Sequence, residues 1–466
     1  MLFNSLHFLL FLPITVVVYY LLPYRYRWGL LLVASYYFYM CWRVEYILLI
    51  VFSTLIDYYA ARLIHRSTDP TRRKFYLACS LGTNLGLLFF FKYFNFLGTS
   101  VNEVFQYFSI GAAIPYYHIL LPVGISFYTF QTLSYTIDVY RGDKEPETHL
   151  GKFAVYVSYF PQLVAGPIER SVKLIPQLHK KHDFTYDNIS KGVKLIIWGF
   201  FLKLVVADRA AIYVNTIYNH VEYHGGLSFL LATFLFSFQI YGDFAGYSAI
   251  AIGSSRLMGI ELMQNFNRPY LARSIQNFWQ RWHISLSTWF RDYVYIPLGG
   301  NRVSTPRWLT NLFVTFVISG VWHGANWTFV IWGALHGVYL ILEVLFGQRH
   351  RQGLLNIVLT FLLVNIAWVF FRANSVGDAF YILHHIVTTP GQLFTGVGVD
   401  ITSPVYAMLA ITLLMAIEVK QEFFPSTFSV LNHRHEVVRI VGYASLIFIT
   451  VYLGVFGESQ FIYFQF

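Results

Sequence analysis

The chain of 466 residues is 56% hydrophobic and 20% aromatic, and only 12% of its residues are charged. Soluble proteins carry about a quarter charged residues, so a soluble globular fold is excluded. The formal net charge of +10 sits in short loops between apolar stretches, a pattern that orients a membrane protein and argues against nucleic-acid binding. It also favours anionic lipids and anionic ligands.

Apolar stretches of bilayer-crossing length lie near 6–22, 28–42, 44–61, 75–97, 117–140, 189–214, 227–257, 308–322, 325–346, 353–371, 404–419 and 438–455. The first lacks a basic flank and a small-residue cleavage site, so it is expected to stay as a span. Two stretches, 151–168 and 274–300, are too short or too polar to cross and hold Gly, Pro and charge. They read as re-entrant segments buried against protein, where irregular backbone is tolerated. The expected fold class is an all-α polytopic integral membrane protein of about 11–12 transmembrane helices plus re-entrant segments. The whole of 1–466 reads as one membrane domain, with N-terminal spans over 1–116, a core over about 117–371 and C-terminal spans over 372–466. The segment from Arg372 to Ser403 is expected to hold a short helix.

Loop charge sets the orientation. Arg62, Arg66, Arg72, Arg73 and Lys74 share a side with Arg141 and Lys144, with Lys173, Lys180 and Lys181, with Arg349 and Arg351, and with Arg434 and Arg439. The segments Gly98–Tyr116, Asn215–Gly226 and Glu458–Phe466 lack Lys and Arg and fall opposite. The alternation holds only if the two re-entrant segments do not cross. Both termini are then extracytoplasmic.

The densest chemistry lies in Phe278-Trp-Gln-Arg-Trp-His-Ile-Ser-Leu-Ser-Thr-Trp-Phe-Arg-Asp292. His283 reads as an active-site imidazole or as a surface histidine on an interfacial helix anchored by Trp279, Trp282 and Trp289. Arg281 and Arg291 can bind phosphates or pair with Asp292. In Val321-Trp-His-Gly-Ala-Asn-Trp327, His323 reads as a general base or as an interfacial histidine in an aromatic belt, with Asn326 opening the next span. His336 reads as pocket-lining or structural. A metal site on His283, His323 and His336 matches no ligand spacing, so no metal is expected.

Asp243, within Gln239–Ser248, needs a partner such as an arginine or a hydroxyl, as pocket wall or as a structural ion pair. Pro161 and Gly166-Pro-Ile-Glu-Arg170 break the other re-entrant segment and can line a ligand's mouth. His384 and His385 read as solvated. Cys41 and Cys79 are too few and too far apart in the topology for a thiolate metal site or a disulfide. No phosphate-binding loop and no G-x-S-x-G elbow is present.

These residues resemble the membrane-bound O-acyltransferase family, in its bacterial branch. The resemblance rests on Ser274–Trp289, Arg291–Arg302, Gly320–Trp327, Gln239–Ser248 and Phe160–Pro167, and it runs over nearly the whole chain. It implies a helical fold around a central tunnel joining the two membrane faces, His323 as catalytic histidine and His283 as the second active-site residue. Trp279, Arg281, Trp282, Arg291, Asp292, Asp243, Asn326 and His336 would line the tunnel. It further implies an O-acetyltransferase of the bacterial inner membrane with acetyl-CoA as cytoplasmic donor and no permanently bound cofactor. The acceptor would be an extracytoplasmic polysaccharide such as alginate, peptidoglycan or cellulose. A periplasmic SGNH-type partner would act with it, alongside the polysaccharide machinery, membrane lipids and no nucleic acid. The alternatives are D-alanyl transfer to teichoic acid and a non-catalytic flippase, the latter disfavoured because no internal repeat is visible. The uncharged tail Phe461–Phe466 reads as exposed, for partner docking or interfacial anchoring.

The orientation has a direct test. A phosphatase reporter fused at residue 70 should be inactive and one fused after Phe466 active, whereas activity at residue 70 would reverse the topology.

Overall fold

The computed structural model describes all residues except 165, 348–352, 394–400, 425–432, 458–460 and 463–466. Among the described residues every regular element is a helix. Seven are long and apolar enough to cross a membrane: Ile47–Arg66, Pro70–Tyr107, Gly226–Leu257, Trp327–Leu345, Leu354–Arg372, Thr402–Phe423 and Glu436–Leu453. Other expected spans are helical but shorter or more polar, including Leu6–Leu21, Tyr24–Met40, Ile125–Arg141 and Thr305–His323. The chain divides into two compact units, residues 1–192 with 254–263, and residues 193–253 with 264–466.

In the first unit one carboxylate ties three helices together. Asp57, buried on Ile47–Arg66, accepts hydrogen bonds from Ser80 Oγ at 2.5 Å and from Asn84 Nδ2 at 3.0 Å, both on Pro70–Leu88. Thr136 Oγ1, on Ile125–Arg141, approaches at 3.4 Å. An acidic group at membrane depth is costly unless so satisfied, and this one converts the cost into a fixed helix arrangement.

The expected span 117–140 is corrected: its helix begins only at Ile125. Gly124 lies in the left-handed region at φ 76°, and a Cβ there would sit 2.7 Å from the Leu163 carbonyl oxygen. The preceding helix runs on past Gly98 to Tyr107, and the chain returns extended along it. Asn102 pairs with both backbone groups of Ile114, at 2.9 and 2.8 Å, and Asn95 does the same for Tyr117, at 2.7 and 3.1 Å. These side-chain amides satisfy backbone groups that a helix would otherwise pair internally.

The segment expected to be re-entrant, 151–168, is broken and buried. Leu150–Ser158 is nine residues long, roughly 13 Å of helix and too short to cross a bilayer. Pro161 opens the next turn, Phe160–Leu163. The break is held by Ser35 Oγ, which accepts from Phe160 N–H at 3.0 Å, and by Gln131, which donates to the Tyr156 carbonyl at 2.5 Å. Between Arg372 and Ser403, Val376–Thr388 forms a helix, with His384 exposed and His385 stacked on Tyr381. Cys41 and Cys79 are both exposed and free.

In the second unit the helices approach at glycines. A Cβ on Gly242 would lie 2.8 Å from the Leu202 carbonyl oxygen, and one on Gly246 2.8 Å from that of Gly199. Such small-residue seams let membrane helices pack backbone to backbone. This seam presses Asp243 against Lys203 at 2.6 Å, and Lys203 also holds Asp208 at 2.9 Å. Lys203 lies in a π-helical turn, Phe201–Ala207, and all three groups are buried. The partner of Asp243 is therefore a lysine, and not the arginine or hydroxyl anticipated.

The tail is also corrected. Phe461 and Ile462 are buried. Phe461 packs on Phe244 and Tyr247 at 5.5 and 4.7 Å, and the Ile462 N–H donates to Asp243 Oδ2 at 2.6 Å. Those two residues cannot form an exposed docking surface; residues 463–466 lie outside the described set.

Candidate active site

The segment 274–300 folds as two short helices, Ile275–Arg281 and Ile284–Phe290, followed by a π-helical turn, Arg291–Tyr295. Ser274 caps the first, its Oγ accepting from Asn277 N–H at 3.0 Å. Glu343 completes that cap from Trp327–Leu345, accepting from the N–H groups of Ile275 and Gln276 at 2.5 and 3.0 Å. A carboxylate at a helix N-terminus is favoured by the exposed N–H groups and the dipole. The helices break at Trp282–His283 because His283 adopts a left-handed backbone, φ 42°, a conformation unusual for a residue with a Cβ.

Asn265 holds that break. Its backbone carbonyl accepts from Ile284 N–H at 2.9 Å. Its Oδ1 accepts from Ser285 N–H at 3.2 Å and Ser285 Oγ at 2.9 Å, and lies 3.1 Å from His283 Nδ1. A backbone N–H can only donate, so the atom facing it is the amide oxygen. His283 Nδ1 must then carry the proton, leaving the Nε2 lone pair directed away from Asn265. His283 is fully buried, edge-on to Phe244 at 4.5 Å and stacked near Phe266 at 6.4 Å.

His323 closes Thr305–His323 and is 2% exposed. Its place follows from a close crossing of that helix with Trp327–Leu345. A Cβ on Gly320 would lie 2.3 Å from the Phe329 carbonyl oxygen, and one on Gly333 2.4 Å from that of Phe316. The crossing sets the His323 ring edge-on to Trp332 at 4.9 Å and 5.6 Å from Phe371. Trp322 contacts both histidines, at 4.9 Å from His323 and 6.3 Å from His283.

His336 lies one ring further on, 5.1 Å from Trp332. Its Nδ1 accepts from the Trp279 indole N–H at 3.3 Å. Indole only donates, so this imidazole is the neutral Nε2–H tautomer, opposite to that of His283.

A cavity of about 470 Å³ opens beside these rings. Trp279, Gln280, Ser287, Arg291, Tyr295 and Glu343 are among its lining, and it reaches Thr315 and Ser319. Thr315, Ser319 and His323 follow at intervals of four, so they form one stripe of a single helix face, and all three are buried. Two of the three line the cavity, and His323 is the next residue along the stripe. Among the described residues, no group of His, Cys, Asp and Glu could hold a metal ion.

The sequence is similar to those of known proteins. Residues 147–376 match the membrane-bound O-acyltransferase family. The chain is 44% identical over 382 residues to a probable alginate O-acetylase, AlgI, of Pseudomonas aeruginosa, covering 81% of this chain and 73% of that protein. The chain belongs to the membrane-bound O-acyltransferase family. A peptidoglycan O-acetyltransferase of Helicobacter pylori is 36% identical over 393 residues, covering 78% of this chain and 74% of that protein. A teichoic acid D-alanyltransferase of Bacillus subtilis is 28% identical over 249 residues, covering 51% and 62%. As a membrane-bound O-acyltransferase, the chain is an enzyme that transfers acyl groups to hydroxyls.

Within this O-acyltransferase the predicted residues divide. His283, His323, His336, Trp279 and Trp282 join one aromatic cluster, with Trp282 5.1 Å from Trp368 and Trp368 stacked on Trp332 at 5.8 Å. Arg291 lines the cavity and pairs with Asp292 at 2.7 Å. Arg281, open in the sequence to phosphates or to Asp292, holds Glu422 at 2.8 Å, which also holds Arg268 at 3.0 Å. Asp243 is in the lysine network. Asn326 caps Trp327–Leu345, accepting from Thr328 N–H at 3.0 Å. Asn265 and Lys203 escaped the sequence reading, since nothing local marks either one. Thr315 and Ser319 were likewise not singled out, although their four-residue spacing from His323 is a signal that could have found them.

Asn265→Leu removes the acceptor that three donors share and frees the His283 ring. Acyl transfer should fall by about 10²-fold, the low end of what a positioned acid–base group contributes. Steady-state kinetics on membranes with matched protein levels measure this, and an unchanged rate would refute the positioning role.

Proposed function

We propose that this enzyme moves an acetyl group from acetyl-CoA, entering from the cytoplasm of a bacterial inner membrane, to a hydroxyl reached from the opposite face. The observation that carries this reading is the buried stripe from the cavity through Thr315 and Ser319 to His323. A cavity of about 470 Å³ is within the usual range for a small-molecule site. Polar lining at Arg291, Gln276 and Ser287 suits the phosphate and amide groups of a coenzyme A arm.

In the proposed reaction His323 takes the proton of the acceptor hydroxyl as its oxygen attacks the thioester carbonyl carbon. The C–O bond forms and the carbonyl π pair moves to oxygen. Collapse of the tetrahedral intermediate breaks the C–S bond, and the departing thiolate receives the proton that His323 holds. Position at a helix C-terminus favours the transient imidazolium. Acetyl-CoA is a substrate, and no resident cofactor enters the scheme.

The final acceptor is an extracytoplasmic polysaccharide, alginate-like or another glycan such as peptidoglycan or cellulose. Support comes from the relatives named as alginate and peptidoglycan O-acetyltransferases. The D-alanyltransferase match covers less of the chain at lower identity, so acetyl transfer is preferred over D-alanyl transfer. Between residues 372 and 403 the described regular structure is the 13-residue helix Val376–Thr388 and the start of Thr402–Phe423. In this reading the acetyl group is handed to a periplasmic partner of the SGNH type, which modifies the glycan.

Radiolabelled acetyl-CoA, the purified enzyme and the partner together test the reading. His323→Ala should lower label transfer by about 10²- to 10⁴-fold while expression and insertion are unchanged. Transfer at the wild-type rate by His323→Ala would remove the central assignment.

A further inference from the structure

The aromatic cluster around His323 contains three hydrogen-bond donors that nothing in the described protein receives. The indole N–H groups of Trp332 and Trp368 are fully buried and lack an acceptor. The third is His336: with Nδ1 engaged by Trp279, its Nε2 carries the hydrogen, and that atom is also buried without a partner. The three rings form one contiguous group centred on Trp332, 5.8 Å from Trp368, 5.1 Å from His336 and 4.9 Å from His323.

A buried donor left unpaired costs about 1–3 kcal/mol, and native structures keep few of them. Three in contact, next to one imidazole, require a reason. Indole is donor-only, and the His336 tautomer makes its Nε2 donor-only as well. All three donors are neutral. An acceptor oxygen that takes hydrogen bonds from them gains from several donors without needing a counter-charge. In acyl transfer that atom is the carbonyl oxygen, which takes up negative charge as the tetrahedral intermediate forms. Donors fixed beforehand in a dry site favour that charge at no cost of reorganisation during the reaction.

We propose that Trp332 and Trp368, with His336 Nε2–H, supply the oxyanion-stabilising donors of this enzyme. This assignment rests on the acyl-transfer reading and adds to it the group that the acyl oxygen meets. The donors hold the oxygen while the acceptor oxygen bonds to carbon, and release it when the C–S bond breaks and the carbonyl re-forms. Ring packing fixes them: Trp368 lies parallel to Trp332 within 17°, and Trp282 packs on Trp368 at 5.1 Å.

The test replaces the N–H and keeps the ring. Trp332→Phe and Trp368→Phe are compared with full-length enzyme carrying benzothienylalanine at position 332 or 368, in which sulfur stands for the indole nitrogen. Loss of one such donor typically lowers turnover by about 10²- to 10³-fold. Because three donors share the role, a fall in kcat of about tenfold or more, with KM for acetyl-CoA unchanged, supports the assignment. The isosteric variant separates loss of the donor from loss of packing. A kcat within about twofold of wild type for both benzothienylalanine variants overturns it, as does a rise in KM with kcat unchanged. A fall in thermal stability without a fall in kcat also overturns it, since the N–H groups would then serve neighbouring ring faces. The His323→Ala enzyme, run in parallel, keeps the two readings apart. Activity in that variant defeats the acyl-transfer mechanism, whereas an inactive His323→Ala beside fully active tryptophan variants defeats the donor assignment alone.

Discussion

Everything at this site depends on how closely two helices can approach at Gly320 and Gly333. A side chain at either position would strike the opposing backbone, since an added Cβ would come within 2.4 Å of a carbonyl oxygen. With hydrogen at both, Thr305–His323 and Trp327–Leu345 cross tightly enough for the His323 ring to meet Trp332. From that contact the order of rings follows: Trp332 meets His336 and Trp368, Trp368 meets Trp282, and Trp322 links His323 towards His283. Lipid offers no hydrophobic drive for helix association, so packing of this kind supplies it. The geometry of the histidine cluster and the packing of these helices are thus one construction.

The two fully buried histidines flanking this order are set in opposite states by their neighbours. Asn265 Oδ1 requires a hydrogen on His283 Nδ1, while the Trp279 indole requires a lone pair on His336 Nδ1. One imidazole therefore presents a basic nitrogen and the other a donor. A membrane interior without water cannot correct a wrong tautomer by solvation, so the assigning groups, an amide and an indole, matter as much as the rings. The lysine network plays a similar part at a distance. Lys203 holds Asp243 and Asp208, Asp243 takes the backbone of Ile462, and Phe461 beside it packs on Phe244, which lies edge-on to His283.

How much of this was legible in the amino-acid order depends on the range of the interaction. Membrane residence, helical class and the presence of two short broken segments were readable, because they follow from runs of apolar residues and local Gly, Pro and charge. His283, His323 and His336 stood out as polar groups among aromatics, and the structure does bring them into one cluster. The helix start at Ile125 was not readable: the apolar run continues through Pro122 and Gly124, and only the contact of Gly124 with Leu163 shows where the chain turns. Asp243 needed a cation, but its lysine lies forty residues earlier, and Arg281 finds its carboxylate at Glu422. Asn265 carries no mark in sequence, because its importance lies in three donors that arrive from across a break. The aromatic tail invited an exposed reading from its composition, whereas the burial of Phe461 and Ile462 depends on a complementary slot that composition does not encode.

The central claim is that the donor reaches His323 along the face marked by Thr315 and Ser319. Filling that path at Ser319 tests it most directly, by measuring binding and transfer of radiolabelled acetyl-CoA in Ser319→Phe against Ser319→Ala. The account predicts that both variants bind the donor at the cavity, that Ser319→Ala transfers acetyl groups, and that Ser319→Phe does not. Wild-type transfer by Ser319→Phe would contradict it, because the acyl group would then reach its acceptor by another route.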